Sequence, residues 1–263
     1  MSIGIWAWLL MAGAALVVGI SKTSISGLGS LVVAAFALVL PAKESTAAVL
    51  LLLICGDIVA VILYHHAADW HQLKRLLPAV VPGIALGAVF MKFVSDEVLL
   101  VSVAGCLIAA VALQIGLRVR DARASAALAQ AGTAPAPPAS ARPAWVPALL
   151  AGVAAGFTTM VANAAGAVMS LYLLAIKADK TRFVATGAWF FFLVNLTKVP
   201  FSIGLGLIHL HTLAILATLI PVVLLGTWVG RHLLKALKQT SFEWLVIAAS
   251  LLSAVVLLLK GVL

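Results

Sequence analysis

A lysine and several hydroxyl side chains interrupt the first long apolar region of the chain. Lys22 stands in the stretch GISKTSISGLG, where Thr23, Ser24 and Ser26 follow it. A charged side chain is costly in hydrocarbon, and inside a membrane segment it commonly marks a binding site or an ion pathway. Together these donors are suited to a small anion with several oxygen atoms. The alternative is that Lys22 lies near a membrane surface and extends its ammonium group into water.

A second polar group interrupts the apolar region 146–176, and a third lies in a later segment. In the third group Asn195 and Lys198 are three residues apart and share a helix face. Two alternatives to substrate binding stay open. The hydroxyl groups could satisfy backbone carbonyls at helix breaks, and Lys198 could extend its ammonium group to the outer membrane surface. We predict one substrate site from all three groups, made of Lys22, Thr23, Ser24, Ser26, Thr158, Thr159, Asn163, Asn195 and Lys198.

Asp57 is the only carboxylate well inside an apolar segment. It either forms an ion pair with Lys22 or Lys198, or carries a proton that couples transport. If Lys22 has no partner, its replacement by methionine should abolish anion binding and leave the fold intact, because no buried charge is left unpaired. The nearby histidines and aspartate follow no zinc-ligand spacing, so we expect neither a metal nor a cofactor; they are His65, His66, Asp69 and His71.

The composition predicts an all-α polytopic membrane protein. The 263 residues are 64% hydrophobic and 10% charged, and the mean hydropathy is +1.21. No soluble domain of this size needs so much apolar surface, so the lipid bilayer is the expected surrounding. The net charge of +9 is typical of basic cytoplasmic loops, and nucleic acid is therefore not an expected partner.

Two of the apolar stretches are too long for one crossing. Stretches 4–40 and 146–176 are both interrupted by glycine and polar residues, which mark broken helices. Each returns the chain to the side from which it came, as a re-entrant hairpin or as two short crossings, for about 8–10 membrane segments in all. The single crossings are 46–64, 76–94, 98–117, 183–208, 212–230 and 244–259. The glycines assigned to the breaks are Gly19, Gly27, Gly29, Gly156 and Gly166.

The basic residues orient this threading. With the linker 118–145 in the cytoplasm, twelve Lys and Arg residues lie inside and three lie outside. A single crossing by 146–176 would move six of the inside residues outside, so the returning geometry is favoured. Both termini are therefore predicted to lie outside. The linker is rich in Ala, Pro and Ser, and we expect it to be flexible.

The two halves of the chain resemble each other. Each has a broken stretch followed by three crossings, and this odd number inverts the second half relative to the first. We predict two inverted-topology repeats, 1–117 and 146–263, joined by the linker 118–145, an architecture typical of secondary transporters. The matches are Gly19, Ser21, Ser26 and Gly29 with Gly156, Thr158, Asn163 and Gly166 at an offset of 137, Asp57 with Asn195 at 138, and Pro82 and Gly87 with Pro221 and Gly226 at 139.

Two longer stretches resemble a known family. AGFTTMVANAAGAVMSLYLLAIKADKTRFVATGAWFFFLVNLTKVPF (155–201) and ADWHQLKRLLPAVVPGIALGAVF (68–90) are similar to segments of the sulfite exporter TauE/SafE family. The resemblance implies export of small organosulfur anions, such as sulfite or sulfoacetate, across the plasma membrane. Alternating access follows from the repeats, and an anion channel and an uptake permease for another small anion are the alternatives.

The residues also bear on two further possibilities, an intramembrane enzyme and a homodimer. The chain has neither the H-E-x-x-H zinc-protease motif nor the G-x-S-x-G nucleophile elbow, so we expect no enzyme. Small residues that recur on two helices could pack within one chain or between two copies, and a homodimer is expected on that ground. They are Gly83, Gly87, Gly226 and Gly230.

The topology gives the first testable prediction. Reporter fusions at the C-terminus should be active only outside the cytoplasm, and fusions within the linker 118–145 only inside it, because the basic residues hold the linker on the cytoplasmic side. Paired fusions of a cytoplasmic and a periplasmic reporter measure both positions. A C-terminal fusion active only in the cytoplasm would contradict the threading.

Overall fold

The computed structural model is helical throughout the part of the chain that it describes. That part comprises residues 4–24, 28–95, 145–163, 165–176 and 178–242, with single positions within 98–116 and 244–255. Ser26, Gly27, the linker and most of the predicted crossings 98–117 and 244–259 lie outside it.

Eight helices are described with both ends. Five apolar helical segments are long enough to cross a membrane, namely Ile5–Thr23, Lys43–Ala67, Trp70–Phe93, Lys180–Gly204 and Thr212–Ala236. This confirms the prediction of an all-α protein of the multi-pass membrane class. A short 3₁₀ turn, His65–Ala67, links α3 to α4. The helices are α1 Ile5–Thr23, α2 Gly29–Phe36, α3 Ala42–Tyr64, α4 Trp70–Phe93, α5 Trp145–Ala162, α6 Ala165–Ala175, α7 Lys180–Gly204 and α8 Leu210–Ala236.

Two aspartates begin helices that follow polar loops. The Asp69 carboxylate accepts hydrogen bonds from the backbone N–H groups of His71 and Gln72 and caps α4. Asp179 accepts from Thr181 and Arg182 in the same way and caps α7. A side-chain oxygen at this position satisfies N–H groups that have no partner within the helix. Asp69 is therefore a structural cap.

Each long apolar region divides into a long arm and a short arm. In the first, α1 has 19 residues and α2 has 8; in the second, α5 has 18 and α6 has 11. At a rise of 1.5 Å per residue, α1 is about 28 Å long and α2 only about 12 Å. The long arm can reach across the hydrocarbon, whereas the short arm cannot. Each region is thus divided into two arms of unequal length.

Two parallel helix pairs connect the halves of the chain. The carbonyl oxygen of Leu16 would lie 2.3 Å from a Cβ added to Gly226, and that of Ile20 would lie 2.7 Å from one added to Gly230. Residue numbers rise together along both helices, so α1 and α8 run in the same direction. Along α4 and α5, Gly83 meets Val153 and Gly87 meets Met160 in the same way. These directions agree with the predicted threading.

Gly19 and Gly156 belong to these pairs and not to the helix breaks. Both lie inside continuous helices, α1 and α5. A Cβ on Gly19 would lie 2.1 Å from the Val223 carbonyl oxygen, and one on Gly156 would lie 2.1 Å from that of Val80. Their assignment to the breaks was therefore wrong: the missing side chain lets two backbones approach closely.

The same contacts give the later helices of the repeat a different residue offset from the one that the sequence predicts. Val80, which meets Gly156, and Val223, which meets Gly19, are 143 residues apart. That register relates Gly83 to Gly226 and Gly87 to Gly230, one helical turn away from the predicted offset of 139. The correspondence supports the inverted repeat, which stays an interpretation of the contacts.

Two lysines repeat this correspondence at the helix ends. The Lys43 ammonium donates a hydrogen bond of 2.6 Å to the carbonyl of Val94, the residue after α4. The Lys180 ammonium donates one of 2.6 Å to the carbonyl of Leu237, the residue after α8. The two lysines are 137 residues apart and the two carbonyls are 143 residues apart. The same two offsets relate Gly19 to Gly156 and the residues that they contact, Val80 and Val223. A positive charge at a helix carboxyl end satisfies free carbonyls and complements the helix dipole.

Helices α3 and α7 run antiparallel between two hydrophobic cores. Asp57 of α3 meets Asn195 of α7, while Asp69, beyond the end of α3, meets Thr186 near the start of α7. One core is formed by α1, α2, α3 and α8, and the other mainly by α4, α5, α6 and α7. The α3–α7 pair therefore lies where the two cores adjoin.

The glycine contacts predict different costs for two substitutions on one helix. Gly19→Ala should lower the free energy of unfolding by about 1–3 kcal/mol, because the new methyl group overlaps the α8 backbone. Gly13→Ala is the matched control: within 4 Å of its added Cβ the described structure has no atom, and alanine favours the helix by up to about 1 kcal/mol. Thermal unfolding in detergent measures both, and equal effects would contradict the close α1–α8 contact.

Candidate functional site

The two helix breaks touch each other. Helix α5 ends at Ala162, and Asn163 follows with a left-handed backbone (φ 53°), which asparagine tolerates better than most residues. The carbonyl oxygen of Asn163 would lie 2.5 Å from a Cβ placed on Gly29, the first residue of α2. Gly29 therefore has no room for a side chain. The breaks of the two long apolar regions are therefore in direct contact.

Lys22 forms an ion pair with Asp57 at this meeting point. Its Nζ atom lies 2.7 Å from Asp57 Oδ1, and the side chain is 8% exposed. The ammonium also lies 4.6 Å from the ring centroid of Phe191, a cation–π distance. A Cβ on Gly56 would lie 2.9 Å from Lys22 Cγ, so this glycine makes room for the lysine stem. Lys22 consequently does not extend to the membrane surface.

Asp57 is held from its other side by Asn195. The Asn195 Nδ2 group donates a hydrogen bond of 2.6 Å to Asp57 Oδ2, and both side chains are buried. Residues 42–56 of α3 precede Asp57 and residues 180–194 of α7 precede Asn195, which is the same length of helix. Because the two helices run in opposite directions, the pair is equally far from the first residue of each helix.

Lys198 is the second buried ammonium group. It is 2% exposed, so it too does not extend to the surface. It donates hydrogen bonds to Asn163 Oδ1 and, at 3.4 Å, to Thr159 Oγ1. Lys22 is paired with the Asp57 carboxylate, whereas the hydrogen bonds of Lys198 go to neutral groups. At their formal charges, these two ammonium groups and one carboxylate sum to +1.

A small cavity of about 30 Å³ lies between the two breaks. A volume of this size holds one or two water-sized groups, so a larger anion requires the walls to move. Lys198 lies behind this lining, in contact with Thr159 and Asn163. The lining residues are Ser21, Lys22, Gly29, Leu53, Thr159, Asn163, Gly166, Phe191 and Asn195.

Three of the predicted hydroxyl ligands lie outside this lining. Thr23 donates to the Thr227 carbonyl at 2.9 Å, Ser24 donates to the carbonyl of Ile20 at 2.6 Å, and Thr158 donates to that of Ala154 at 2.8 Å. These bonds correspond to the alternative in which hydroxyl groups satisfy backbone carbonyls. The structure therefore brings Lys22, Thr159, Asn163 and Asn195 together at the cavity, with Asp57 and Lys198 in contact with them.

The sequence interpretation missed three residues around the Lys22 ammonium. Gly56 makes room for it, Phe191 covers it, and Leu53 lines the cavity beside it. A signal existed only for Gly56, which directly precedes the one carboxylate inside an apolar helix. Phe191 lies in the run WFFF, and such a run does not reveal which ring faces a charge.

Two larger grooves on the outside of the helices differ in chemistry from this cavity. One of about 480 Å³ runs between α4 and α7, and one of about 270 Å³ runs between α1 and α2. Aliphatic and aromatic side chains form most of both, and Lys92 is the charged residue at the first. Surfaces of this kind suit lipid chains, so the central cavity is the candidate substrate site.

Comparison with known proteins gives one match. The family model described as sulfite exporter TauE/SafE matches residues 11–257, nearly the whole chain. No match was found among curated proteins or among solved structures.

The ion pair changes the expected result of removing either partner. Lys22→Met should lower the free energy of unfolding by about 3–5 kcal/mol, because it leaves the Asp57 carboxylate buried without a counter-charge. This corrects the expectation that the fold would stay intact, which held only for an unpaired Lys22. Asp57→Asn should destabilise by a similar amount for the converse reason.

The double variant tests whether the pair itself is the cause. Lys22→Met combined with Asp57→Leu should recover most of the stability lost by either single change, since no charge is then left unpaired. Lys92→Met, at an exposed lysine, is the control and should unfold like the parent. Thermal unfolding in detergent measures the parent, Lys22→Met, Asp57→Leu, the double variant and the control. Additive losses in the double variant would contradict the coupling.

Proposed function

The chain belongs to the sulfite exporter TauE/SafE family, and from that premise we propose a secondary transporter that exports small sulfur oxyanions by alternating access. The family consists of membrane transporters of sulfur anions, and the apolar helices make this chain a multi-pass membrane protein. Sulfite and sulfoacetate are the proposed substrates, and the cell membrane is the proposed location. Both termini are placed outside and the linker 118–145 inside.

The observation that carries the proposal is the excess positive charge at the meeting point of the two breaks. Lys22 and Lys198 bring two ammonium groups to the site and Asp57 brings one carboxylate. In a medium of low dielectric constant this excess charge attracts an anion and disfavours a cation. Neutral donors around the cavity add hydrogen bonds to oxygen atoms, as the recognition of an oxyanion requires.

Each residue of the site has a proposed role. Lys22 binds the anion directly. Thr159 and Asn163 also contact the anion, and because both are hydrogen-bonded to the Lys198 ammonium, they are polarised by its charge. Asp57 compensates Lys22 when the anion is absent. Protonation of Asp57 would release Lys22 to the anion, and this makes Asp57 the proposed coupling group.

The helix arrangement supplies a means of alternating access. Backbones approach closely in the pairs α1–α8 and α4–α5, so each pair can move as a unit. The site lies between the pairs, on the antiparallel helices α3 and α7. Tilting one pair against the other would open the cavity to one face at a time, as in transporters built from inverted repeats. A homodimer stays part of the proposal.

Adjacent threonines on α5 provide the test of the site. Thr159→Val should weaken the binding of sulfite to the purified protein by about 5–150-fold, the range for one lost buried hydrogen-bonding group. Thr158→Val is the matched control and should bind like the parent, because its hydroxyl group is bonded to the Ala154 carbonyl outside the cavity. Calorimetry measures the affinities. Equal losses in both variants, or none in either, would contradict the site.

Transport by the parent protein tests the mechanism. Sulfite efflux from proteoliposomes should saturate with concentration and be reduced by competing small sulfonates, because one small site limits the rate. Flux that grows in proportion to the gradient without saturating would indicate an anion channel instead.

A further inference from the structure

We propose that the preferred anion carries a single negative charge and one hydrogen-bond donor, and that Asn195 accepts this hydrogen bond through its side-chain oxygen. The proposal rests on the proposed function and narrows the class of substrate. Hydrogen sulfite, the singly protonated form of sulfite, belongs to that class. The sulfite dianion and sulfate do not.

The orientation of the Asn195 side chain is fixed by its partner. The Nδ2 group donates to Asp57 Oδ2 at 2.6 Å. A carboxylate accepts hydrogen bonds and cannot donate them, so turning the amide over would set two oxygen atoms against each other. One N–H of the amide is therefore committed to Asp57, and this orientation fixes the position of the Oδ1 atom, which is an acceptor, beside the second N–H.

That oxygen has no protein partner in the described part of the chain. Asn195 is 1% exposed and lines the central cavity, and its Oδ1 atom accepts no hydrogen bond there from another residue. Buried side-chain oxygen atoms normally have a partner, because losing water without a replacement costs free energy. A ligand with a donor would supply this partner, whereas a ligand with acceptors alone would leave the oxygen unpaired.

The charge of the site indicates the charge of the ligand. Asn195 faces Asp57 from α3; Lys22 from α1 pairs with that carboxylate, and Lys198 lies on the same helix as Asn195. At their formal charges these groups sum to +1, which a singly charged anion neutralises. A doubly charged anion would leave a buried negative charge without compensation. The volume of about 30 Å³ also favours a ligand of few atoms.

Two ligands of similar shape and equal charge distinguish the effect of the hydrogen-bond donor from the effect of the charge. Hydrogen sulfite carries a hydroxyl group on sulfur, and methanesulfinate carries a methyl group in the same place with the same single charge. The parent protein should bind hydrogen sulfite about 5–150-fold more tightly, as expected when one buried acceptor is left unpaired by the analogue. Calorimetry in oxygen-free buffer measures both ligands at a mildly acidic pH, where hydrogen sulfite predominates.

Raising the pH distinguishes titration of the ligand from titration of the protein. The apparent affinity for total sulfite should fall as hydrogen sulfite loses its proton, while methanesulfinate, which stays a monoanion, should bind as before. A parallel fall for both ligands would assign the effect to a protein group such as Asp57 and overturn the proposal.

The outcomes separate this inference from the proposed function. Equal affinities for the two ligands would overturn the donor requirement and leave the anion site standing, whereas failure of both to bind would remove the anion site itself. Asn195→Leu should bind hydrogen sulfite and methanesulfinate equally. If this variant does not fold, as judged by thermal unfolding, the comparison of the two ligands on the parent protein still decides.

Discussion

A carboxylate buried among apolar helices requires a positive partner within contact distance, and Asp57 meets this requirement through Lys22. The requirement accounts for much of the surrounding structure. Helix α1 must end next to the middle of α3 for the lysine to arrive there, and Gly56 must lack a side chain for the stem to pass. Asn195 then satisfies the second carboxylate oxygen and ties α3 to α7. The break in the first long region thus has a second effect: it ends α1 at the point where Lys22 can reach Asp57.

Hydropathy and charge patterning were sufficient to predict the helical class, the interrupted regions and most of the polar residues at the cavity. They could not select the partner of Asp57, since Lys22 and Lys198 both lie in apolar segments and the choice depends on how distant helices pack. Glycine was ambiguous for a physical reason: the lack of a side chain permits a helix break at Gly29 and a close helix crossing at Gly19. Hydroxyl groups were ambiguous in the same way, because Thr158 and Thr159 are neighbours that face different surroundings.

The site is asymmetric although its frame repeats. At the offsets of 137 and 138, Lys22 corresponds to Thr159, Asp57 to Asn195, and Lys198 to Ala60. One half therefore contributes the ion pair, and the other contributes the neutral donors and the additional ammonium group. Because Asp57 and Asn195 correspond to each other and are also hydrogen-bonded, they lie close to the axis that would relate the halves. Charge differences at corresponding positions can thus give a single site a defined orientation for its ligand.

The crossed pairing of helices has a consequence for how the protein is made. Helix α1 leaves the ribosome first, yet its closest helical partner is α8, and α4 must likewise wait for α5 on the far side of the linker. The glycines of each half make their close contacts with helices of the other half. In a half synthesised alone, these glycine faces would be exposed to lipid. Lys22, by contrast, has its partner Asp57 in the same half, only 35 residues further along the chain. The close contacts of α1 and α4 therefore form only after the second half has been translated.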